Sequence, residues 1–456
     1  MQEPDPEDVG AAHDARDRVL IARGLGWSSI GYPANVALVF IAQVLAAQLL
    51  DPAEFGAYSL AISIVTLGAL VAQLGIPQSL LRRASAALAS GHDALARHEI
   101  LSALLYATGA ALVAGVLVGS PLGASALEAV FSETAVASVA GLVGCRLALR
   151  VLENLVPEAF RAFRDYMRAT LFDSLVANAI VAAVLTGVLL AGVGVDLFDV
   201  LLITVVVSAL ALVPAFVALA RKLRAMHGTG LVVRNPVEPG MWAATIGRAV
   251  IAQLDLLVVG ALGTGRDVAL YAAPFRLALL VGLPLIAVNQ VVAPLIAGWY
   301  ASGQRRRLER TLQGTAGLAT VVAVALATAL VIGGELALST LFGAAYTAAF
   351  PVLVILTIGQ VAQTWTGSCG FAMMMTGHHR VYAVVLAISG GLTLALDVAL
   401  FDLWGIEGVA VATATMLVAQ NVVNMLYLRR RAGIRTVADV RLVGVEIREL
   451  RGRLRA

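Results

Sequence analysis

Apolar runs of twenty residues or more, each closed by a short polar loop, recur along the whole chain and leave it few ways to fold. MWAATIGRAVIAQLDLLVVGAL (241–262) and LLITVVVSALALVPAFVALA (201–220) are two of them. A helix crossing the hydrocarbon core of a bilayer needs roughly 20 mostly apolar residues. A membrane barrel would instead alternate apolar and polar residues over about 10 positions, and these runs do not alternate. Of 456 residues, 60% are hydrophobic and 13% charged, with a mean hydropathy of +0.88. Soluble domains carry about 25% charged residues. The pattern predicts an all-α integral membrane protein. A signal peptide does not explain the bias, because the first residues, MQEPDPEDVGAAHDARDRVL, are polar and acidic.

Twelve transmembrane helices are predicted, near 27–50, 56–76, 99–119, 134–156, 169–192, 198–220, 241–262, 269–296, 311–333, 349–375, 381–402 and 406–428. The second half of the fourth, CRLALRVLENLVPEAFRAF, is amphipathic and is expected to emerge into the cytosol. Lys and Arg collect in cytoplasmic loops. With the N terminus placed inside, 29 of the 32 basic residues fall on one side. The opposite loops hold only Arg266, beside Asp51, Glu54, Glu128, Asp196, Asp199, Glu335 and Asp402. Both termini are therefore expected in the cytoplasm.

The longest polar break, RKLRAMHGTGLVVRNPVEPG, divides the helices six and six. The expected organisation is a cytoplasmic N-terminal segment (1–26), a first six-helix bundle (27–220), a linker (221–240), a second bundle (241–428) and a basic amphipathic cytoplasmic tail (429–456). The halves rhyme weakly: LAAQLLDPAEFGAYSLAISI pairs with VVGALGTGRDVALYAAPFRLALL, which puts Tyr58 opposite Tyr271. Six helices per half give both halves the same orientation, so the repeat is parallel, and substrate sites in such folds lie between the halves near the midplane. In the tail, Val437, Val440, Ile447, Leu450 and Leu454 alternate with Arg at helical spacing, predicting a helix from 434 on the anionic inner leaflet. A protein-docking helix is the alternative.

Several function classes are excluded or disfavoured. The only lysine, Lys222, precedes Leu223, so a Walker A phosphate loop cannot occur. H-E-x-x-H and G-x-S-x-G are absent, and all six histidines fall in expected cytoplasmic segments. His378 and His379 are adjacent and point apart, with no Cys or carboxylate cluster beside them, so no metal site is expected. Cys145 and Cys369 lie in predicted spans and are expected as buried free thiols. A net charge of +3 is too small to suggest nucleic acid. No cofactor is expected, and the chain is not expected to be an enzyme.

Charges inside spans are costly and normally face a cavity or one another. Asp255 and Arg276 each lie about 10 Å below the outer face on adjacent helices, level enough for an interhelical ion pair. Asp255 could instead shuttle a coupling cation. Arg248 sits about 10 Å from the inner face, beside the uncharged Asn289 and Gln290. An Arg with no obvious carboxylate is poised for an anion, and snorkelling to the inner headgroups is the plainer alternative. Asn35, Gln43 and Gln73, together with Gln48, are expected to add polar lining. Asp173, Asn178 and Asp397 lie in other spans with their facing undetermined.

Four stretches resemble a known family. LLDPAEFGAYSLAISIVTLGALVAQLGIPQSLLRRAS (49–85) is similar to the first-repeat signature of polysaccharide-biosynthesis, O-antigen-flippase-type proteins, with Asp51 where that family usually has Gly. QLDLLVVGALGTGRDVALYAAPFRLA (253–278), GFAMMMTGHHR (370–380) and LWGIEGVAVATATM (403–416) follow in order. The resemblance implies a member of the multidrug/oligosaccharidyl-lipid/polysaccharide exporter superfamily, with two six-helix bundles around a central cavity. It implies alternating access that flips a polyprenyl-diphosphate-linked oligosaccharide to the outer leaflet of the plasma (inner) membrane. A cationic cavity suits a diphosphate, because the planar Arg fork pairs two phosphate oxygens. Arg248 is the first candidate for that contact and Arg276 the second. The partners implied are membrane lipid and the lipid-linked saccharide, with polymerase or glycosyltransferase partners left open, and a monomer is expected. The alternative function is a cation-coupled drug or metabolite antiporter of the same fold. A peptidoglycan-precursor flippase and a non-transporting partner that recruits glycosyltransferases complete the set.

Overall fold

The structure, a computed structural model, describes residue 31 and residues 33–131, 134–226 and 233–442; some side chains within these ranges, among them 248–252 and 290–291, fall outside the description. The main elements are α1 (Pro33–Leu49), α2 (Pro52–Ala72), α3 (Ile76–Ala89), α4 (Asp93–Gly119), α5 (Ala140–Ala162), α6 (Tyr166–Ala191) and α7 (Leu197–Ala225). They continue as α8 (Pro239–Leu262), α9 (Gly265–Ala301), α10 (Arg305–Leu341), α11 (Phe350–Thr366), α12 (Cys369–Met375) and α13 (His379–Tyr427). No strand occurs among the described residues.

Eight helices among the described residues are long and apolar enough to cross a membrane, and α1 and the segment Gln253–Leu262 are shorter apolar helices. The protein is thus all-helical and multi-pass. Ala140–Ala162 carries Arg146, Arg150, Glu153, Glu158 and Arg161, too many charges to count among the eight. Side chains as large as Leu190 and Ile332 are each 83% exposed on these helices. Water would not tolerate so much uncovered hydrocarbon; a lipid solvent does.

The expected pair 381–402 and 406–428 is one helix by hydrogen bonding, α13, but it turns at Gly405, where φ is 58°. The expected span 349–375 is divided into α11 and α12. The helix expected from 434 does not begin there. Ile434 to Asp439 is non-helical, with a bend at Val437, and residues 443–456 lie outside the described residues. Backbone pairing explains the difference. Ala438 N–H donates to the Trp365 carbonyl at 2.9 Å and Asp439 N–H to the Gln313 carbonyl at 3.1 Å. Thr436 Oγ1 donates to the Thr366 carbonyl at 2.8 Å. Buried Ile434 and Thr436 alternate with exposed Arg435, the period of an extended strap. Of the two thiols, Cys369 is buried as expected, while Cys145 is exposed.

The described residues form two compact units, one within residues 1–46, 64–124 and 139–245 and one within residues 47–63, 125–138 and 246–456, the second drawing on both halves of the sequence. In the first unit the linker is tied down by charge. Glu99, buried, receives Arg83 at 3.8 Å and Arg234 at 3.3 Å, and Glu238 receives Arg82 and, at 3.1 Å, Arg83. Two arginines, Arg146 and Arg150, share the Glu153 carboxylate at 3.1 and 3.2 Å. Asp165, between α5 and α6, accepts from Lys222 and Arg168, each at 3.0 Å.

In the second unit the segment 47–63 is held by aromatic packing. Phe55 stacks with Tyr58 and meets Phe342 and Tyr346, all buried. Asp51 caps α2, its Oδ1 accepting from Glu54 N–H at 2.9 Å. Thr264 and Asp267 form the corresponding cap of α9. The match places N-cap, acidic third residue and Tyr at equal spacing in both halves of the expected repeat. Gly56 lies so close to α9 that a Cβ there would sit 1.7 Å from the Gly265 carbonyl oxygen.

Gly56→Ala is expected to lower the thermal midpoint in detergent sharply, since two backbones must separate, at a cost of about 1–3 kcal/mol or more. Gly109→Ala on α4, where a Cβ meets open space, is expected to leave it unchanged; equal effects would refute the interlock. A second expectation concerns pH. Burial opposes ionisation of Asp165, but the Lys222 hydrogen bond, the Arg168 N–H and the charges of both residues outweigh it and hold the carboxyl below its usual range. Its contribution is therefore present above the ordinary carboxylate pKa and is lost as pH falls through the lowered one. The stability gap between wild type and Asp165→Asn, measured by thermal unfolding, should be full at pH 7 and shrink towards pH 3.

Candidate functional site

Two buried carboxylates of the second unit, Asp255 and Asp397, lie where α8, α9 and α13 meet. Asp255 comes from the C-terminal half of α8 and is 3% exposed. Tyr271, two turns into α9 and fully buried, donates from Oη to Asp255 Oδ2 at 2.8 Å. Its single proton is thereby used, so Thr413 Oγ1 on α13, 3.3 Å away, donates to the Tyr271 oxygen. Asp397, also on α13, is fully buried and lies within electrostatic reach of Asp255. Neither of its carboxylate oxygens has a hydrogen-bond partner among the described residues.

The level positions of Asp255 and Arg276 do not produce an ion pair: among the described residues none joins them, and Asp255 takes its hydrogen bond from Tyr271. Tyr271 and Arg276 are five positions apart, which turns them about 140° from one another around the helix. Counting depth places two residues at one height but says nothing of direction about the axis. The Arg276 guanidinium lies 5.9 Å from the Phe275 ring centre, and its Nε has no partner among the described residues. Its charge acts on Tyr58 and Asp255 from beyond ion-pair distance. On α2, Ser63 Oγ reaches Gln253 Oε1 of α8 at 3.2 Å.

The other expected residues scatter. The side chains of Arg248 and Gln290 lie outside the described residues. Asn35 accepts from Asn178 Nδ2 at 2.8 Å, joining α1 to α6 in the first unit. Gln43 and Gln73 are buried in that unit, each with one amide atom lacking a partner among the described residues. Asn289 Oδ1 is likewise without one. Gln48 is not lining: it is exposed, and its Nε2 donates to the Leu341 carbonyl at 3.0 Å, closing the end of α10. Asp173 pairs with Arg161 at a break in α6, where Ser174 has φ 61°.

Sequence reasoning missed Tyr271 as the partner of Asp255 and Thr413 as the partner of Tyr271. A signal for Asp397 was present: Ser389, Thr393 and Asp397 repeat every fourth residue on α13, and all three are buried. Such a stripe marks one inward face of a helix.

Chemically, two carboxylates and two hydroxyls form a hard-oxygen set suited to a proton or a small cation. No group of three or more His, Cys, Asp or Glu suited to a metal ion occurs among the described residues. Arg276, by contrast, is a donor suited to an anion.

Comparison with known proteins agrees with the fold. A multidrug resistance MATE family transporter of the MOP superfamily, in an inward-facing conformation, has a TM-score of 0.71 at 13% identity, covering 88% of this chain and 94% of that one. The lipid II flippase MurJ gives 0.69 at 14% identity, with 88% and 87% covered. A MOP superfamily transporter from Pyrococcus furiosus gives 0.61 at 14%, with 91% and 95% covered. The probable low-salt glycan biosynthesis flippase Agl15 of Haloferax volcanii is 23% identical over 185 residues. That match spans 41% of this chain and 39% of the relative's length. The family of polysaccharide biosynthesis proteins matches residues 44–351, well over half of the sequence, and the chain belongs to it.

Proposed function

We propose that this protein is a flippase that moves a polyprenyl-diphosphate-linked oligosaccharide from the cytoplasmic to the outer leaflet. It does so by alternating access in the plasma (inner) membrane, for cell-surface polysaccharide or glycan biosynthesis. Twelve spans form two six-helix bundles, with 29 of the 32 basic residues on the cytoplasmic side together with both termini. Family membership, the flippase named among its relatives and the fold shared with MurJ support the reading. The observation that carries it is Arg276: a guanidinium within the spans, outside ion-pair distance of any described carboxylate, with an Nε left unpartnered. In a medium without water such a group is stabilised by an anionic ligand. A diphosphate presents paired oxygens to the Arg fork, and Arg248, one heptad before Asp255 on α8, is the other candidate contact.

The Asp255–Tyr271–Thr413 chain with Asp397 favours coupling to a cation gradient. A proton or cation entering there would neutralise carboxylates whose burial is otherwise costly. The same cluster is what a cation-coupled drug or metabolite antiporter would need, and that remains the second reading.

Flipping of a fluorescent polyprenyl-diphosphate saccharide in proteoliposomes tests the first. Arg276→Ala and Arg248→Ala are each expected to slow it about 10- to 100-fold, the loss of one charged hydrogen-bonding contact. Rates equal to wild type in both would remove these arginines from the site. Failure of the wild type to flip, with drug efflux retained, would favour the antiporter. Coupling is read separately. Asp255→Asn and Asp397→Asn are expected to abolish the response of the rate to an imposed proton or sodium gradient, and Tyr271→Phe to weaken it. An undiminished response in both Asn variants would overturn the coupling role.

A further inference from the structure

A groove of about 620 Å³ runs between α10 and α11 of the second unit. Val324, Val331, Ile332, Ile358, Val361 and Trp365 line it. Ala327 and Ala362 make the recess between these larger side chains, and Val281 of α9 packs beneath Ala327. Thr320 and Thr328 also face the groove but turn their hydroxyls back to the carbonyls of Ala316 and Val324, at 2.7 and 2.8 Å. Their methyl groups are left to the wall. The groove is bounded at both ends. At the outer end Gly334 meets Phe350 and Leu353 so closely that a Cβ would lie 2.9 Å from each. At the other, the strap Ile434–Asp439 crosses and bonds to the carbonyls of Trp365 and Thr366.

Length identifies the occupant. From Thr320 to Ile332 the groove is about 18 Å long. Half of the hydrocarbon core is about 15 Å. The groove therefore suits one fatty chain of one leaflet and is far too short for an extended polyprenyl chain. Charge identifies the head. Below the groove, Arg310 lies one turn before Gln313, whose carbonyl accepts from Asp439, and Arg441 follows two residues later. Both arginines are exposed, as are Arg305, Arg306 and Arg307 at the start of α10. Glu309 is already used by the Arg435 N–H, and Asp439 by the Arg441 N–H. Trp365, half exposed, sits between chain and head, where indoles favour the interface.

We propose that this groove is a binding site for an anionic phospholipid of the cytoplasmic leaflet, its acyl chain between α10 and α11 and its phosphate at Arg310 and Arg441. The inference rests on the topology given under Proposed function. It does not depend on flipping.

Native mass spectrometry of the full chain in detergent, titrated with phosphatidylglycerol or phosphatidylcholine, tests it. One phosphatidylglycerol should be retained with about tenfold preference, or about 1.4 kcal/mol, over phosphatidylcholine. Ala362→Trp, which fills the recess, should reduce retention about tenfold or more, while Leu117→Trp on the exposed face of α4 should not. The double variant Arg310→Gln, Arg441→Gln should keep a lipid but lose the preference. Unchanged retention in Ala362→Trp, equal binding of both lipids by wild type, or displacement of phosphatidylglycerol by an equal concentration of polyprenyl phosphate would each overturn the proposal. Labelling Arg441→Cys in a Cys145→Ala, Cys369→Ala background with an impermeant thiol reagent reports the topology independently. Labelling from outside only would overturn the leaflet assignment while leaving the groove assay readable.

Discussion

In a bilayer a backbone amide or a charged side chain finds no water, and every other feature of this protein follows from that shortage. It forces the backbone into helices, which satisfy their own N–H and C=O groups. It permits side chains such as Leu190 and Ile332 to lie uncovered. It also makes each in-span charge expensive, so that the few present must be bonded or held for use. Asp255 is met by Tyr271. Arg276 Nε and the Asp397 oxygens have no such partner among the described residues, and they are the groups on which function is placed.

Close approach of helices does the positioning. Asp51, Phe55 and Gly56 lie in a stretch that reads as a family signature, and the structure gives each a physical task. Asp51 caps the helix, Phe55 enters an aromatic cluster with Phe342 and Tyr346, and Gly56 lets α2 touch the backbone at Gly265. The same logic holds beside the end of α11, where the strap Ile434–Asp439 replaces the expected helix. Carbonyls at the end of α11 need donors, and an extended backbone offers N–H groups that a helix would use internally.

The site was legible in part. Asp255 and Arg276 stood out because charges are rare in apolar runs, and their common depth followed from the helical rise. Their pairing did not follow, since azimuth depends on helix rotation against neighbours. Gln48 looked like lining by polarity alone, yet it serves as a cap, because its position one residue before the end of α1 brings it to the α10 terminus.

Composition and span length determined that this is an all-helical, multi-pass membrane protein, because the hydrophobic requirement of a bilayer is written residue by residue. The parallel repeat was expected from two similar helix joins that set Tyr58 opposite Tyr271, and the structure adds a cap and an acidic third residue at equal spacing in each join. Tertiary structure alone decided which buried groups meet: Tyr271 with Asp255, Thr413 with Tyr271, the strap with α11. Those contacts join residues up to 142 positions apart, and no local rule of propensity or periodicity specifies how one helix is turned towards another.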